Sequence, residues 1–373
     1  MVIFIDNDLS ERLLDAKKII RAVEEGYKDL SAGKTSSRPS IDFYVPSRDE
    51  DQFYRWGTVE GIDVRNNLFA IRMKSDVIFW TKNGREEKYC ANRGTYCGFV
   101  MLFDTNTGLP IAIVNDGYIQ HMRVAASSVI GAKFLARKDS TVLSMVGSGG
   151  MARSHAEAYC LTFPIERIRI YSPSKTNRES FAREMSSRLG VDVVSYDSPE
   201  EATRGSDILL ACTNSNEEVL NPDWVQPGMY VSVIRKVEAG QRLRYKVDIL
   251  STLNTPAFCN IKSESTIPGV GTVLGALGGA SLAIAVGEQK LYSRFLRRDK
   301  MVTGNKDAIS IFDIIAGREE GRTEDSQMTF FDNTEGAQGT QFAYVCGELV
   351  RQMTKENTKK LIPTEWFLEN IRD

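Results

Sequence analysis

The chain has 373 residues, of which 42% are hydrophobic and 26% are charged, which suits a globular protein with a large core and room for two domains. Its formal net charge of −2 provides no basic surface and argues against nucleic acid or anionic membrane as a main partner. With two histidines, His121 and His155, and no CxxC pair, we expect reduced thiols and no metal site. An early acidic residue argues against a signal peptide, and the most apolar run is shorter than the ~20 residues that span a bilayer, so a cytoplasmic location is expected.

The first part of the chain predicts strands at residues 2–5, 38–45, 68–77, 95–104 and 111–114, and helices at residues 10–32 and 118–136. In the strand at residues 68–77, Arg72, Lys74 and Asp76 alternate with apolar residues, so one face is charged and the other apolar. Charged side chains on such a face are more often solvated than catalytic. A functional role for Lys74 is the alternative that this pattern leaves open.

Residues 141–172 form the most informative stretch. An apolar run at 141–146 leads into a glycine-rich turn, a helix-compatible segment follows, and a second strand covers 167–172. This β-α-β unit predicts a dinucleotide site, with an empty structural turn as the alternative. The residues expected to bind the cofactor at the turn are Gly147, Gly149, Gly150, Met151 and Ala152, where the glycines allow close approach of a pyrophosphate and the helix N-terminus attracts it.

The end of the second strand indicates which dinucleotide is bound. An NAD site usually carries an acidic residue there, whereas this chain has Ser172, Ser174, Lys175 and Arg178, with no carboxylate before Glu179. Hydroxyl and basic groups suit a 2′-phosphate, so the sequence favours NADP(H), with NAD(H) possible. An ordinary solvated basic loop is the alternative.

Further strands are predicted at residues 191–196, 207–213, 230–234 and 247–251, which completes six strands alternating with helices. The predicted fold class is α/β, with a Rossmann-type doubly wound parallel sheet, and ligands are expected at the carboxyl ends of its strands, where Thr213 and Asn214 lie. A long helix is predicted at residues 273–291. Helices at 312–316 and 339–353 and a strand at 328–332 are expected to rejoin the N-terminal region. The predicted domains are therefore a discontinuous α+β domain, residues 1–133 and 310–373, and a dinucleotide domain, residues 134–309.

Several motifs in this order resemble the ornithine cyclodeaminase/μ-crystallin family over nearly the whole length. FDTNTGLP at 103–110 is similar to its strand and turn before the central helix, RVAAS at 123–127 to its RTAA segment, and GSGGMA at 147–152 to its GxGxQA turn. GREEGR at 317–322 and TFFD at 329–332 resemble its C-terminal signature.

The resemblance implies a homodimer whose substrate and dimerisation domain is built from both chain ends. It also implies that basic residues matching Arg38, Lys74 and Arg123 hold the carboxylate of an amino, imino or oxo acid. An arginine and a lysine converging on a carboxylate would fix the substrate carbon against the nicotinamide.

The chain departs from the family pattern at three places. Val237 stands where cyclodeaminases carry a catalytic aspartate, with Glu238 one position away, and Val124 and Met151 replace the threonine of RTAA and the glutamine of GxGxQA. A cyclodeaminase needs a carboxylate near the amine throughout its cycle, so these departures disfavour that reaction.

Three hypotheses follow. The first is NAD(P)H-dependent reduction of a 2-imino acid, as in imine reductases and amino-acid dehydrogenases, with Lys74 and Arg123 in the catalytic site and Glu238, Asp332 or a water as proton donor. The second is an NAD-dependent cyclodeaminase that releases ammonia from a diamino acid. The third is a non-catalytic, μ-crystallin-like ligand-binding protein.

Overall fold

The computed structural model describes residues 1–38, 40–47, 49, 52–81, 86–253, 282–285, 308–334, 336–353 and 360–368. Residues 294–306, Cys259 and most of the helix predicted at 273–291 lie outside the described residues. The one described piece of that predicted helix, Leu282–Ala285, is a strand, so the prediction is wrong there. Within the described ranges, no helix is both long and apolar enough to cross a membrane.

The described strands are β1 Val2–Ile5, β2 Ile41–Pro46, β3 Gln52–Asp63, β4 Leu68–Trp80, β5 Glu86–Tyr89, β6 Cys97–Asp104, β7 Pro110–Asn115, β8 Val142–Val146, β9 Arg167–Tyr171, β10 Asp192–Ser195, β11 Ile208–Ala211, β12 Tyr230–Val233, β13 Ile249–Thr252, β14 Leu282–Ala285, β15 Ile309–Ser310, β16 Thr329–Asp332 and β17 Lys360–Ile362. The described α-helices are α1 Asn7–Leu13, α2 Ala16–Ser31, α3 Gly117–Leu135, α4 Gly150–Thr162, α5 Lys175–Leu189, α6 Pro199–Thr203, α7 Gln241–Lys246, α8 Ile311–Ile315 and α9 Gln338–Met353. The single helix predicted at 10–32 is two helices, because Asp15 caps α2 by accepting from the Lys18 N–H.

The first sheet is mixed, and its described strands run in the order β14-β2-β3-β4-β6-β7-β1-β17, with β5 paired to β4. Its long antiparallel centre is formed by β3, β4 and β6, where Gly57 and Gly98 stand on either side of Lys74. Strand β3 was not predicted from the sequence. Helix α9 packs over β3 and β4, and a methyl group on Gly61 would come within 2.2 Å of the Gly339 carbonyl carbon, so strand and helix approach closely.

The charged face of β4 points inward. Arg72, Lys74 and Asp76 lie on the same side as the buried Ala70 and Ile78, whereas the apolar residues between them are only half-buried. A solvated charged face, the common outcome for this pattern, is therefore not what the structure shows. The charged residues instead line the side that α9 covers.

The second sheet is parallel, and its order, β10-β9-β8-β11-β12-β16-β13-β15, is that of a doubly wound Rossmann-like sheet. Strand β16 pairs with both β12 and β13, although the sequence was expected to place residues 328–332 in the other domain. The predicted boundary at residue 310 therefore does not follow sheet membership. Helix α9 and β17, by contrast, contact the first sheet.

Helix α3 connects the two sheets. It begins directly after β7, packs against α2, α4 and β16, and leads into β8. Its small residues permit this close packing: a methyl group on Gly131 would come within 2.4 Å of the Phe331 ring. Along its length α3 therefore borders the charged face of the first sheet and the glycine-rich turn of the second.

Candidate functional site

Lys74 occupies a gap between two glycines on the covered face of the first sheet. A methyl group on Gly57 would lie 2.1 Å from Lys74 Cε and 2.2 Å from Asp42 Oδ1, and one on Gly98 would lie 2.3 Å from Asp116 Oδ1. The two glycines thus make room for charged side chains that a packed sheet would otherwise exclude.

Three ion pairs fill this face. Lys74 Nζ lies 2.8 Å from Asp42 Oδ1, Arg72 Nε donates to Asp116 Oδ2 at 2.7 Å, and Arg55 pairs with Asp76. Burial lowers the pKa of Lys74 to about 8, against the opposing effect of the Asp42 carboxylate. An ammonium with such a pKa can both bind an anion and give up a proton near neutral pH.

Arg123 differs from these cations because its hydrogen-bond partners are neutral. Its guanidinium donates to the amide oxygens of Gln341 at 2.7 Å and Gln120 at 2.9 Å, and lies 4.9 Å from the centre of the Phe342 ring. The residue is 7% exposed, and burial lowers its pKa to about 9, with Arg72 adding to the effect. Within the described ranges, no carboxylate pairs with Arg123, which suits it to an anionic ligand.

Arg38 is placed differently from the other two predicted substrate residues. It precedes β2, is about half exposed, and its Nε donates to Glu60 Oε2 at 2.7 Å. Arg38 thus has a carboxylate partner of its own, so its predicted role in substrate binding stays a prediction.

The glycine-rich turn lies between β8 and α4. Gly147 has φ of +108°, and a methyl group there would come within 2.3 Å of the Cys212 carbonyl oxygen, so only glycine fits. Gly149 begins α4 without a side-chain cap, a methyl group there would meet nothing within 4 Å, and Gly150, Met151 and Ala152 form the first turn. An open space before uncapped N–H groups fits a pyrophosphate.

The end of β9 holds the residues predicted to select the dinucleotide. Ser172 accepts a hydrogen bond from the Ser148 hydroxyl at 2.8 Å, and Ser174 caps α5. Lys175 is 70% exposed and lies 3.8 Å from the exposed Glu179 carboxylate, whereas Arg178 is buried, donates to the Ser172 carbonyl at 3.0 Å and pairs with Asp197. Lys175 is therefore the more available cation of the two.

Glu238 is buried and accepts four hydrogen bonds. One of its oxygens accepts from the N–H and hydroxyl of Thr213 at 2.6 and 2.7 Å, and the other accepts from the N–H groups of Ile234 and Arg235 at 2.9 and 2.8 Å. The carboxylate thus ties the ends of β11 and β12 together. It also fixes Thr213, while Asn214 beyond it is exposed.

Asp332 ends β16 and is also buried. Its Oδ2 accepts from Arg244 at 2.6 Å, and the Arg244 guanidinium lies 5.0 Å from the centre of the Phe330 ring. Glu238 and Asp332 are thus both held by protein donors, which suits a structural role better than the proton donation predicted for them.

Sequence reasoning did not single out several residues of this site. Asp42 and Gln341 gave no signal, because each acquires its partner only through folding. Arg72 and Asp116 were visible as charges beside a predicted strand and helix, but their pairing depends on the register of β4 and β7 with α3.

His121 was also missed, although it precedes Arg123 by two residues. It lies in the first turns of α3, and a methyl group on Gly150 would come within 2.8 Å of its Cε1 atom. Burial lowers the pKa of His121. In the part of the chain that the structure describes, no group of three His, Cys, Asp or Glu side chains could hold a metal ion.

A parallel sheet with a glycine-rich turn, joined through one helix to a sheet with a buried charged face, defines an α/β protein of the Rossmann class. The sequence model of the ornithine cyclodeaminase/mu-crystallin family matches residues 7–338, and the chain belongs to this family.

Individual relatives agree with this assignment. The chain is 33% identical over 135 residues to the ketimine reductase mu-crystallin of Rattus norvegicus, a match that covers 36% of this chain and 42% of that protein, less than two thirds of its length. It is 28% identical to an alanine dehydrogenase of Archaeoglobus fulgidus, over 87% of each chain.

Solved structures show the same fold. A Thermococcus litoralis Δ1-pyrroline-2-carboxylate reductase in complex with NADH and L-proline superposes with a TM-score of 0.73 at 22% identity, covering 97% of this chain and 100% of that one. An archaeal alanine dehydrogenase dimer with bound NAD gives a TM-score of 0.73 at 20% identity, covering 97% and 99%.

Proposed function

We propose that this protein reduces a 2-imino acid to the corresponding amino acid with a reduced nicotinamide dinucleotide. The observation that carries this proposal is Arg123, a buried guanidinium whose described partners are all neutral, on the helix that borders the glycine-rich turn. The names of the relatives, which include a ketimine reductase and a pyrroline-carboxylate reductase, support the same reaction class.

The charges of the site favour a substrate with one carboxylate. The pairs Lys74–Asp42, Arg72–Asp116 and Arg55–Asp76 are each neutral, whereas Arg123 has no carboxylate partner among the described residues. The carboxylate of the substrate would bind Arg123, with Lys74 as the second cation, and the imine would lie beyond it.

When bound, the reduced nicotinamide supplies the hydride that adds to the imine carbon. The Lys74 ammonium donates a proton to the imine nitrogen and is protonated again from solvent, so the product is the amine. A pKa of about 8 suits this donation better than that of an exposed lysine. Gly147 and the first turn of α4 would hold the pyrophosphate.

We favour NADPH over NADH because the end of β9 offers Ser172, Ser174 and the exposed Lys175 to a 2′-phosphate, and no carboxylate to a ribose hydroxyl. Arg178 contributes less than expected from the sequence, because Asp197 already neutralises it.

We also propose a homodimer formed through the outer face of the first sheet. Apolar side chains on this face are half-buried or exposed: Phe43, Val45, Ile71, Met73, Val77, Phe99 and Met101. A contiguous apolar patch of this kind is typical of an interface. Light scattering of the wild type and of Met73→Lys, which places a charge at its centre, tests the dimer.

The test of the reaction is oxidation of NADPH and NADH, followed by the loss of nicotinamide absorbance, against cyclic 2-imino acids and against 2-oxo acids with amines. Turnover is expected, with Lys74→Met and Arg123→Met losing most of it while still binding the dinucleotide. Arg167→Met, which removes an exposed cation paired with Asp192, is the control.

The outcomes separate the three hypotheses. Absence of turnover with every pair, despite tight dinucleotide binding, would overturn the reductase. Ammonia release from a diamino acid without net change in nicotinamide absorbance would identify a cyclodeaminase instead, and binding without either reaction would identify a ligand-binding protein.

A further inference from the structure

A chain of buried hydrogen bonds leads away from Arg123. Arg123 donates to Gln341 Oε1 at 2.7 Å, Gln341 Nε2 donates to the Tyr27 hydroxyl at 2.7 Å, and that hydroxyl lies 2.6 Å from Ser127 Oγ. Ser127 donates to Asn333 Oδ1 at 2.5 Å. The chain thus runs from the candidate substrate site through α9, α2 and α3 to the residue that follows β16.

The two ends of this network, the Arg123 guanidinium, which can only donate, and the Val124 carbonyl, which can only accept, determine the direction of every bond. A guanidinium can only donate, so Gln341 must turn its oxygen to Arg123 and its NH2 group to Tyr27. Tyr27 then donates to Ser127, which donates to Asn333, whose Nδ2 donates to the Val124 carbonyl at 3.0 Å. All these side chains are buried, and burial raises the pKa of Tyr27 to about 12, so it keeps its proton.

The chemical nature of Gln341 is decisive at this position. A glutamate would fit the same volume and accept from Arg123, but it would neutralise the guanidinium and could not donate to Tyr27. A glutamate at Gln120, the second amide on Arg123, would likewise neutralise the guanidinium. On the covered face of the first sheet, by contrast, cations are paired with carboxylates, as Lys74 is with Asp42.

We propose that Gln341 is a positioning residue that fixes the Arg123 guanidinium through a neutral amide and so leaves its charge for the carboxylate of the ligand. This inference rests on the proposed function for the identity of the ligand. Whatever the reaction, Arg123 is expected to bind a carboxylate because its protein partners are amides.

The test is Gln341→Glu, which changes charge but not size. The KM for the 2-imino acid is expected to rise about tenfold or more, the equivalent of about 1.4 kcal/mol, with the Kd of NADPH unchanged. Gln338→Glu, which adds the same charge at the beginning of the same helix, is the matched control and should leave both constants unchanged.

Two further variants separate charge from packing. Gln341→Met removes the hydrogen bonds without adding charge. It is expected to raise the KM for the 2-imino acid less than Gln341→Glu does. Gln120→Glu adds the charge from α3 and is expected to raise the KM in the same direction, and it keeps the test decisive if Gln341→Glu does not fold. Equal losses in Gln341→Glu and Gln341→Met, or an unchanged KM in Gln120→Glu, would overturn the proposal.

Calorimetric titration with L-proline, a cyclic amino acid carrying one carboxylate, distinguishes failure of the inference from failure of the proposed reaction. If L-proline binds to the NADP⁺ complex of the wild type but not to that of Gln341→Glu, the positioning role of Gln341 is supported even if no imine is reduced. Equally tight binding of L-proline by Gln341→Glu would overturn the positioning role of Gln341, whatever reaction the protein catalyses.

Discussion

Gly57 lies directly opposite Lys74 in the register of β3 and β4, and a methyl group at this glycine would overlap Lys74 Cε. Gly57→Ala is therefore expected to displace Lys74 and Asp42 and to raise the KM for the imino acid about tenfold, since the cation is moved and not removed. Steady-state kinetics measure this effect. Thr58→Ala, which alters the opposite face of the same strand, should leave the KM unchanged.

Much of the second sheet could be predicted because its information is local. The turn at Gly147 and the strands around it follow from residues adjacent in sequence. The alternation of charged and apolar residues along β4 was also visible in the sequence. Which face is buried, however, depends on β3, a strand rich in charged and aromatic residues that was not predicted. Partners such as Asp42 for Lys74 and Gln341 for Arg123 are set by long-range register, which no local pattern contains.

The catalytic role that we propose for Lys74 predicts a pH dependence. Its ammonium both binds the carboxylate and donates a proton, so kcat/KM should fall as the pH rises through about 8, the value to which burial lowers its pKa. Asp42 opposes that lowering, so Asp42→Asn should move the fall to lower pH. Profiles of kcat/KM against pH for both proteins check this, and an unshifted profile in the variant would separate the fall from Lys74.

Glu238→Gln is expected to reduce stability more than it reduces chemistry. The carboxylate accepts four hydrogen bonds, and an amide would turn its NH2 group toward two of the donors, at a cost of about 1–3 kcal/mol. Denaturant unfolding measures the loss. Glu200→Gln, an exposed glutamate in α6, is the control and should stay within ~0.5 kcal/mol of the wild type.

Asp332→Asn tests whether Asp332 holds the fold or transfers a proton. Loss of its charge leaves Arg244 buried without a counter-ion, so the free energy of unfolding should drop by about 3–5 kcal/mol. Replacing both residues with apolar ones, Asp332→Leu with Arg244→Met, should recover part of this loss. A single variant of wild-type stability with kcat abolished would instead identify Asp332 as the proton donor.

Lys175→Glu is expected to reverse the proposed preference for NADPH over NADH. A carboxylate at the beginning of α5 would repel a 2′-phosphate and could accept from a ribose hydroxyl, so the KM for NADPH should rise and that for NADH fall. Glu179→Gln removes the carboxylate that lies 3.8 Å from Lys175 Nζ, so the KM for NADPH is expected to fall, the opposite of the effect of Lys175→Glu. Equal use of both dinucleotides before and after the substitution would show that Lys175 does not select the cofactor.

The position of β16 has a consequence for how the protein is made. Its residues 329–332 fill the space between β12 and β13, which are complete about 80 to 100 residues earlier in the chain. During synthesis these two strands expose unpaired backbone edges until residue 332 has left the ribosome. The nascent chain must therefore keep its second sheet open in the middle, and the last described strand of that sheet to be synthesised is the one that closes it.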